Sequence, residues 1–151
     1  MKYLAIFGQL TLRDWRLLVH AFVALAICRR RLRRHDFEKL RVWATSTGQG
    51  SAPINRLTWS VEAAAKRMKN ATCLCKALAL QRLLARNGHY SELKIGVDKS
   101  YGRFTAHAWL VHNGRVLTGG AETEKYKLLA AWATANEQEH GGARCEGTTD
   151  R

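Results

Sequence analysis

Thr72-Cys73 opens a strongly apolar helical stretch, and His107 lies in the middle of an alternating stretch further along the chain. A cysteine in the first turn of a helix meets unpaired backbone N–H groups and the positive end of the dipole. Both favour the thiolate, the reactive form of the residue. An imidazole from a strand packed against that helix can take the thiol proton and later hand it to a leaving amine. Cys73 as nucleophile and His107 as general base and acid would therefore perform acyl transfer. The Cys73 backbone N–H at the helix start would help hold the oxyanion. This chemistry calls for no metal and no cofactor. Trp109, on the same strand face as the histidine, is placed to wall the cleft or to fill the core.

These residues need elements to position them. Thr11-Leu-Arg-Asp14 has the form of a capping box. Trp15, Leu18, Val19, Phe22 and Ala26 follow at helical spacing, and Leu17, Val23 and Leu25 make that helix apolar nearly all round. The run Arg29 to Arg34 prolongs it, where positive charge suits the C-terminal end of the dipole. Residues 45–52 (TSTGQGSA) read as a linker. Pro53 starts a second pattern with Ile54, Leu57, Val61, Ala64, Ala65 and Met68 on one face. A third helix runs from Thr72 to Arg86, stopped by Asn87-Gly88, and Cys75 lies about 200° around it from Cys73, facing away. Leu93, Ile95 and Val97 alternate as in a strand, residues 98–102 turn, and 103–112 form a longer strand. Asn113-Gly114 signals a two-residue hairpin into a return strand over 115–118, which sets Gly120 opposite His107 and Gly119 opposite Ala108. Residues 124–135 read as a further helix, and the polar tail from Asn136 as disordered. The order predicts an α+β fold: N-terminal helices, then the Cys73 helix packed on a small antiparallel sheet. The expected divisions are a basic helical region with its linker (1–52), a core (53–135) and a tail (136–151).

A chain of 151 residues suffices for one modest core. Its 46% hydrophobic content argues against disorder, and a single Pro rules out collagen-like or polyproline chains. A formal charge of +13 implies an acidic partner. Arg29, Arg30, Arg31, Arg33 and Arg34 form the expected docking patch, with an anionic membrane surface as the alternative partner of the same helix. No nucleic-acid-binding motif or aromatic stacking platform accompanies the charge, so no nucleic acid is expected. Four scattered cysteines suit a reducing compartment better than a disulfide scaffold. Leu17 to Cys28 is too short to span a bilayer, and RRRLRR behind it opposes export; a cytoplasmic location is expected. A zinc site drawn from Cys73, Cys75, His107, His112 and Cys145 is a rival reading. Its spacing is poor, because Cys-x-Cys on a helix splays the sulfurs and His112 falls on the opposite strand face from His107.

The segments TCLCKALALQRLL (72–84), Asn87-Gly88, LKIGV (93–97) and Ala106-His107-Ala108-Trp109 resemble the protease of lasso peptide biosynthesis. That family is the stand-alone, split form of the B protein, within the transglutaminase-like superfamily of papain-type cysteine enzymes. The resemblance covers most of the chain. It is most specific in TCLxKALALQRLL and AHAW, while the N-terminal half matches in character. It implies a transglutaminase-like, papain-like core, with Cys73 and His107 as the catalytic pair that removes the leader from a ribosomally made precursor. A separate small leader-binding protein would deliver that precursor. An ATP-dependent cyclase would join the freed core α-amine to an acidic side chain. Where the family often carries an orienting Asp, this sequence has Gly119; Thr118, Glu122 or a backbone carbonyl could orient the imidazole instead. Two other readings use the same residues. One is a transglutaminase-like amide-forming acyltransferase, in which an amine rather than water takes the acyl group; the other is a non-catalytic basic binding module.

Overall fold

Thr11 and Asp14 cap the first helix, α1 (Leu12–Arg33), as their spacing predicts. The Thr11 hydroxyl accepts the Asp14 N–H at 3.3 Å, and the Asp14 carboxylate accepts the Thr11 N–H at 3.0 Å. Those bonds to Thr11 hold the Asp14 carboxyl below its ordinary 3.8, assisted by the Arg56 guanidinium 2.8 Å away. The computed structural model describes residues 11–34, 36–98, 104–120, 123 and 125–134. Among them, α1 buries Leu18, Ala21, Ala24, Leu25 and Cys28 but leaves Leu12, Trp15, Val19 and Val23 exposed. No helix there is long and apolar enough to cross a membrane.

A short helix that the sequence reading left unassigned, α2 (Phe37–Thr45), follows. It has no side-chain cap and is held by packing, with Leu40 and Ala44 fully buried. α3 (Ile54–Arg67) and α4 (Cys73–Arg86) complete the helical layer. The linker is tied down: Gly48 and Gly50 donate to the carbonyls of Ala85 and Arg86, and Ala52 donates to the Asn87 side chain. Thr72 caps α4 by accepting the Cys75 N–H, and Gly88, at φ +74°, lets the chain leave it.

Four antiparallel strands follow: β1 (Glu92–Asp98), β2 (Thr105–His112), β3 (Arg115–Thr118) and β4 (Lys127–Ala133), in the order β3-β2-β1-β4. The fold is α+β, with α4 packed on the sheet through β2. Leu78, Leu80, Leu84, Leu93 and Leu110 meet Leu25, Leu40 and Leu57 in one core. Asn113 and Gly114 both have positive φ (+46° and +75°), so the hairpin is the expected two-residue turn.

Two expectations are corrected. Residues 127–133 form an edge strand on β1 rather than part of a helix over 124–135. Leu128, Leu129 and the alanines carry local helix propensity, but the open edge of β1 offers a ladder, interrupted only by a bulge opposite Ile95 and Gly96. Trp132 anchors the strand by donating to Gln81 at 3.2 Å and packing edge-on against Phe37. The second correction is register: a bulge between Leu110 and Val111 pairs Leu110 with Thr118. The chain after β3 is thereby shifted by one residue, and Gly119 sits against Trp109 instead of pairing with Ala108. The expected tail, 136–151, lies outside the described residues.

Candidate active site

Cys73 is the first residue of α4, half-buried, with a free thiol that makes no hydrogen bond among the described residues. The helix geometry leaves its first N–H groups without intrahelical partners, and the Thr72 hydroxyl takes one of them, from Cys75. Cys75 points the other way. Its sulfur, buried, donates to the Leu25 carbonyl at 3.5 Å. Its neighbour Cys28 is hydrogen-bonded to it, and that bond together with burial pushes the Cys28 thiol well up, keeping it protonated. Of the three described cysteines, Cys73 alone is within reach of solvent.

His107 is half-buried on β2, and its Nε2 meets the carbonyl oxygen of Gly119. A carbonyl only accepts, so Nε2 carries the proton and the neutral ring keeps its lone pair on Nδ1. Tyr126 stacks on the imidazole at 5.0 Å between ring centroids, and the buried Trp109 lies nearly parallel on it at 6.2 Å. Gly96 pairs with His107 across the sheet. A Cβ there would stand 2.8 Å from the Tyr126 Cβ and 3.0 Å from the Trp109 Cη2. The missing side chain makes room for the aromatic pair.

Gly119 combines φ +109° with close contact: an added Cβ would lie 2.5 Å from the Trp109 Cβ and 2.9 Å from its Cα. No Asp fits there. The backbone carbonyl of that residue holds the ring, as one of the three options read from the sequence. Thr118 does not; its hydroxyl donates to Glu62 at 2.8 Å. The second oxygen of Glu62 lies 3.8 Å from Lys76, one turn beyond Cys73. Glu62 thus ties α3 to the residue before Gly119 and to the Cys73 helix. Glu122 lies outside the described residues.

Gln81 marks the common level of helix and sheet, donating to the Ser91 carbonyl and accepting from Trp132. From that level Cys73 lies about 12 Å along α4. Gly96, the partner of His107, lies about 16 Å along β1 from Ser91. The links His107–Gly119 and Thr118–Glu62–Lys76 bring the imidazole and the start of α4 to the same end of the two layers. Alternation in β2 turns Ala108 and Leu110 beneath α4, and His107 with Trp109 toward the other face. No hydrogen bond joins the sulfur to the ring.

Among the described residues no group of three His, Cys, Asp or Glu side chains could hold a metal. Cys75 is turned to α1, and the His112 Nδ1 meets the Tyr90 carbonyl; Cys145 lies outside the described residues. The arginine run divides. Arg29, Arg30, Arg33 and Arg34 line one hollow with Met68, and Arg29 donates to the Lys69 carbonyl in the turn before Cys73. Arg31 is elsewhere, over the Trp43 ring and donating to the Lys39 carbonyl.

Sequence reasoning missed Gly96, Tyr126 and Glu62. A glycine inside an alternating strand is a legible sign of close backbone approach. Nothing local marks Tyr126 or Glu62.

A family model described as the transglutaminase-like superfamily matches residues 15–131. The chain belongs to that superfamily. No curated protein and no solved structure matches it.

Proposed function

We propose that this transglutaminase-like chain is a cysteine peptidase that removes the leader from a ribosomally made lasso peptide precursor. Cleavage frees the core α-amine for macrolactam closure by a separate ATP-dependent cyclase. The observation that carries the reading is the state of His107: its Nε2–H is committed to the Gly119 carbonyl, leaving Nδ1 as a base on the strand packed against the Cys73 helix. Superfamily membership supports acyl-transfer chemistry of the cysteine type. The narrower substrate rests on the resemblance of the TCLxKALALQRLL and AHAW blocks.

Nδ1 of His107 removes the Cys73 proton, and the sulfur attacks the carbonyl of the last leader residue. Negative charge develops on that oxygen, facing the N–H groups at the start of α4. The imidazolium gives its proton to the core nitrogen as the C–N bond breaks, leaving a leader thioester. Water then loses a proton to Nδ1 and attacks the thioester, releasing the leader carboxylate and restoring the thiol. Because β2 turns the ring to the face away from α4, the reading requires the chain around His107 and the start of α4 to rearrange on substrate binding until ring and sulfur reach hydrogen-bond distance. Arg29, Arg30, Arg33 and Arg34 would dock the leader-binding protein beside the turn that enters α4.

The test is incubation with precursor peptides encoded beside the protein, with and without the leader-binding partner, read by mass. Expected are leader and core whose masses sum to precursor plus water, and no cleavage by Cys73→Ala. Cleavage retained in Cys73→Ala refutes the reading. Loss of ammonia in place of gain of water would identify an amide-forming acyltransferase.

A further inference from the structure

A second basic region lies away from Cys73. A groove of about 920 Å³ follows α1 from Thr11 to Ile27 and is closed opposite by Trp43, residues 49–53 and the last turn of α4. Leu17, Ile27 and Leu83 give it an apolar lining, and Arg13, Arg16, Arg56, Arg82 and Arg86 bring five guanidinium groups. Asp14 is the one acid among the lining residues, and Arg56 already holds it at 2.8 Å. Arg82 is fixed at the groove by the carbonyls of Trp43 and Ser46 and by the Trp43 ring, 5.2 Å away. Among the described residues no carboxylate pairs with it. Burial and the neighbouring Arg86 both oppose its charge, which an incoming anion would relieve.

We infer that this groove docks an acidic segment of a second protein, its carboxylates on the guanidinium groups and its apolar side chains on Leu17, Ile27 and Leu83. Charge complementarity sets the sign of the occupant. The apolar lining between two cationic walls sets its amphipathic character, since a free anion would leave that lining wet. Concavity favours a polypeptide over a lipid surface, because headgroups would meet the rim and not the lining. The stretch of α1 along the groove is about 24 Å, room for about seven extended residues or a four-turn helix. The Arg82 and Arg86 wall of the groove is about 14 to 20 Å along α4 from Cys73, while its Ile27 end is near Leu25, whose carbonyl meets Cys75. Cys75 faces α1 and Cys73 faces away from it, so an occupant anchored on the Arg82 and Arg86 wall binds without touching the thiol, and the inference stands independently of the peptidase reading.

The probe is a fluorescein-labelled peptide of about twelve residues built from glutamate, leucine and serine, long enough to cover the groove in extended form. Its counterpart carries glutamine for every glutamate. Binding to the full chain is followed by anisotropy at low salt, where exposed charges are least screened. Expected is binding of the acidic peptide only, weakened about tenfold or more by Arg13→Glu, Arg16→Glu and Arg86→Glu together. Arg33→Glu with Arg34→Glu, in the other basic cluster, should leave it unchanged. A milder set, Arg13→Gln, Arg16→Gln and Arg86→Gln, checked by circular dichroism, serves if the reversal set misfolds. The bound peptide should not slow alkylation of Cys73 by iodoacetamide, and Cys73→Ala should bind it as the parent does. Equal binding of the glutamine peptide, or loss confined to the Arg33 and Arg34 variant, overturns the inference. So does slowed alkylation, which would put the peptide in the active site. Preference for phosphatidylglycerol vesicles over the peptide, through the same groove arginines, would make the face a membrane surface and overturn it too.

Discussion

Gly119→Ala is the substitution that most directly probes how His107 is held. The added methyl would start 2.5 Å from the Trp109 Cβ, 2.9 Å from its Cα and 3.0 Å from the Ala108 carbonyl oxygen. Two of those three are backbone atoms of two sheet residues, Trp109 and Ala108, so relief must come from moving the chain after β3. Forcing a non-glycine residue to φ +109° costs about 1–3 kcal/mol, and overpacking against Trp109 about 1–3 kcal/mol more. Gly120 separates the two contributions. It has φ +82° but nothing within 4 Å of an added Cβ, so Gly120→Ala carries only the backbone cost. The assay is thermal unfolding of both variants beside the parent. Gly120→Ala should lower the midpoint by a few degrees and Gly119→Ala by roughly 10 °C, taking about 2–4 °C per kcal/mol for a chain of this size. Displacing the carbonyl should also free the ring. The ¹⁵N signals of His107 should then shift from the Nε2–H form toward the ordinary tautomer mixture. Equal midpoints for the two variants, with His107 still held as the Nε2–H tautomer, would refute both the close contact and the orienting role.

Glu62→Gln keeps an acceptor for Thr118 and loses the charge facing Lys76. With that pair about a third exposed, urea unfolding should shift by under about 1 kcal/mol. Glu62→Leu instead strands the buried Thr118 hydroxyl and should cost about 1–3 kcal/mol in the same measurement. Gln81→Leu leaves the Trp132 N–H unpaired and the Ser91 carbonyl with the Thr134 N–H as its one remaining donor among the described residues, so amide exchange should accelerate across β4 before the rest of the sheet; uniform protection would count against Gln81 as its anchor. The Asp14 carboxyl titrates below its ordinary 3.8 in the folded chain, so its stabilisation is complete above that value and is lost as pH falls through the lowered one. Acid unfolding of Asp14→Asn, followed by helical circular dichroism, should therefore lack that component while the parent shows it.

Much of the candidate site depends on short-range rules and could be read directly from the amino acids. Thr72 before an apolar 3.6-residue period, with Asn87-Gly88 at its end, defines α4 and puts Cys73 at its start, because caps and periodicity act within one or two turns. Asn113-Gly114 likewise defines its own turn through two positive φ angles. The order of helices and strands, and with it the α+β class, follows from such local patterns. Packing decided the rest. Residues 127–133 are a strand because β1 presents an unpaired edge and Gln81 and Phe37 hold Trp132, none of which is near them in sequence. The partner of the imidazole depends on a single bulge between Leu110 and Val111, which shifts Gly119 by one residue and brings its carbonyl to the ring. A one-residue slip exchanges the faces of a strand yet leaves composition and period unchanged, so that choice is made only when the strands pair.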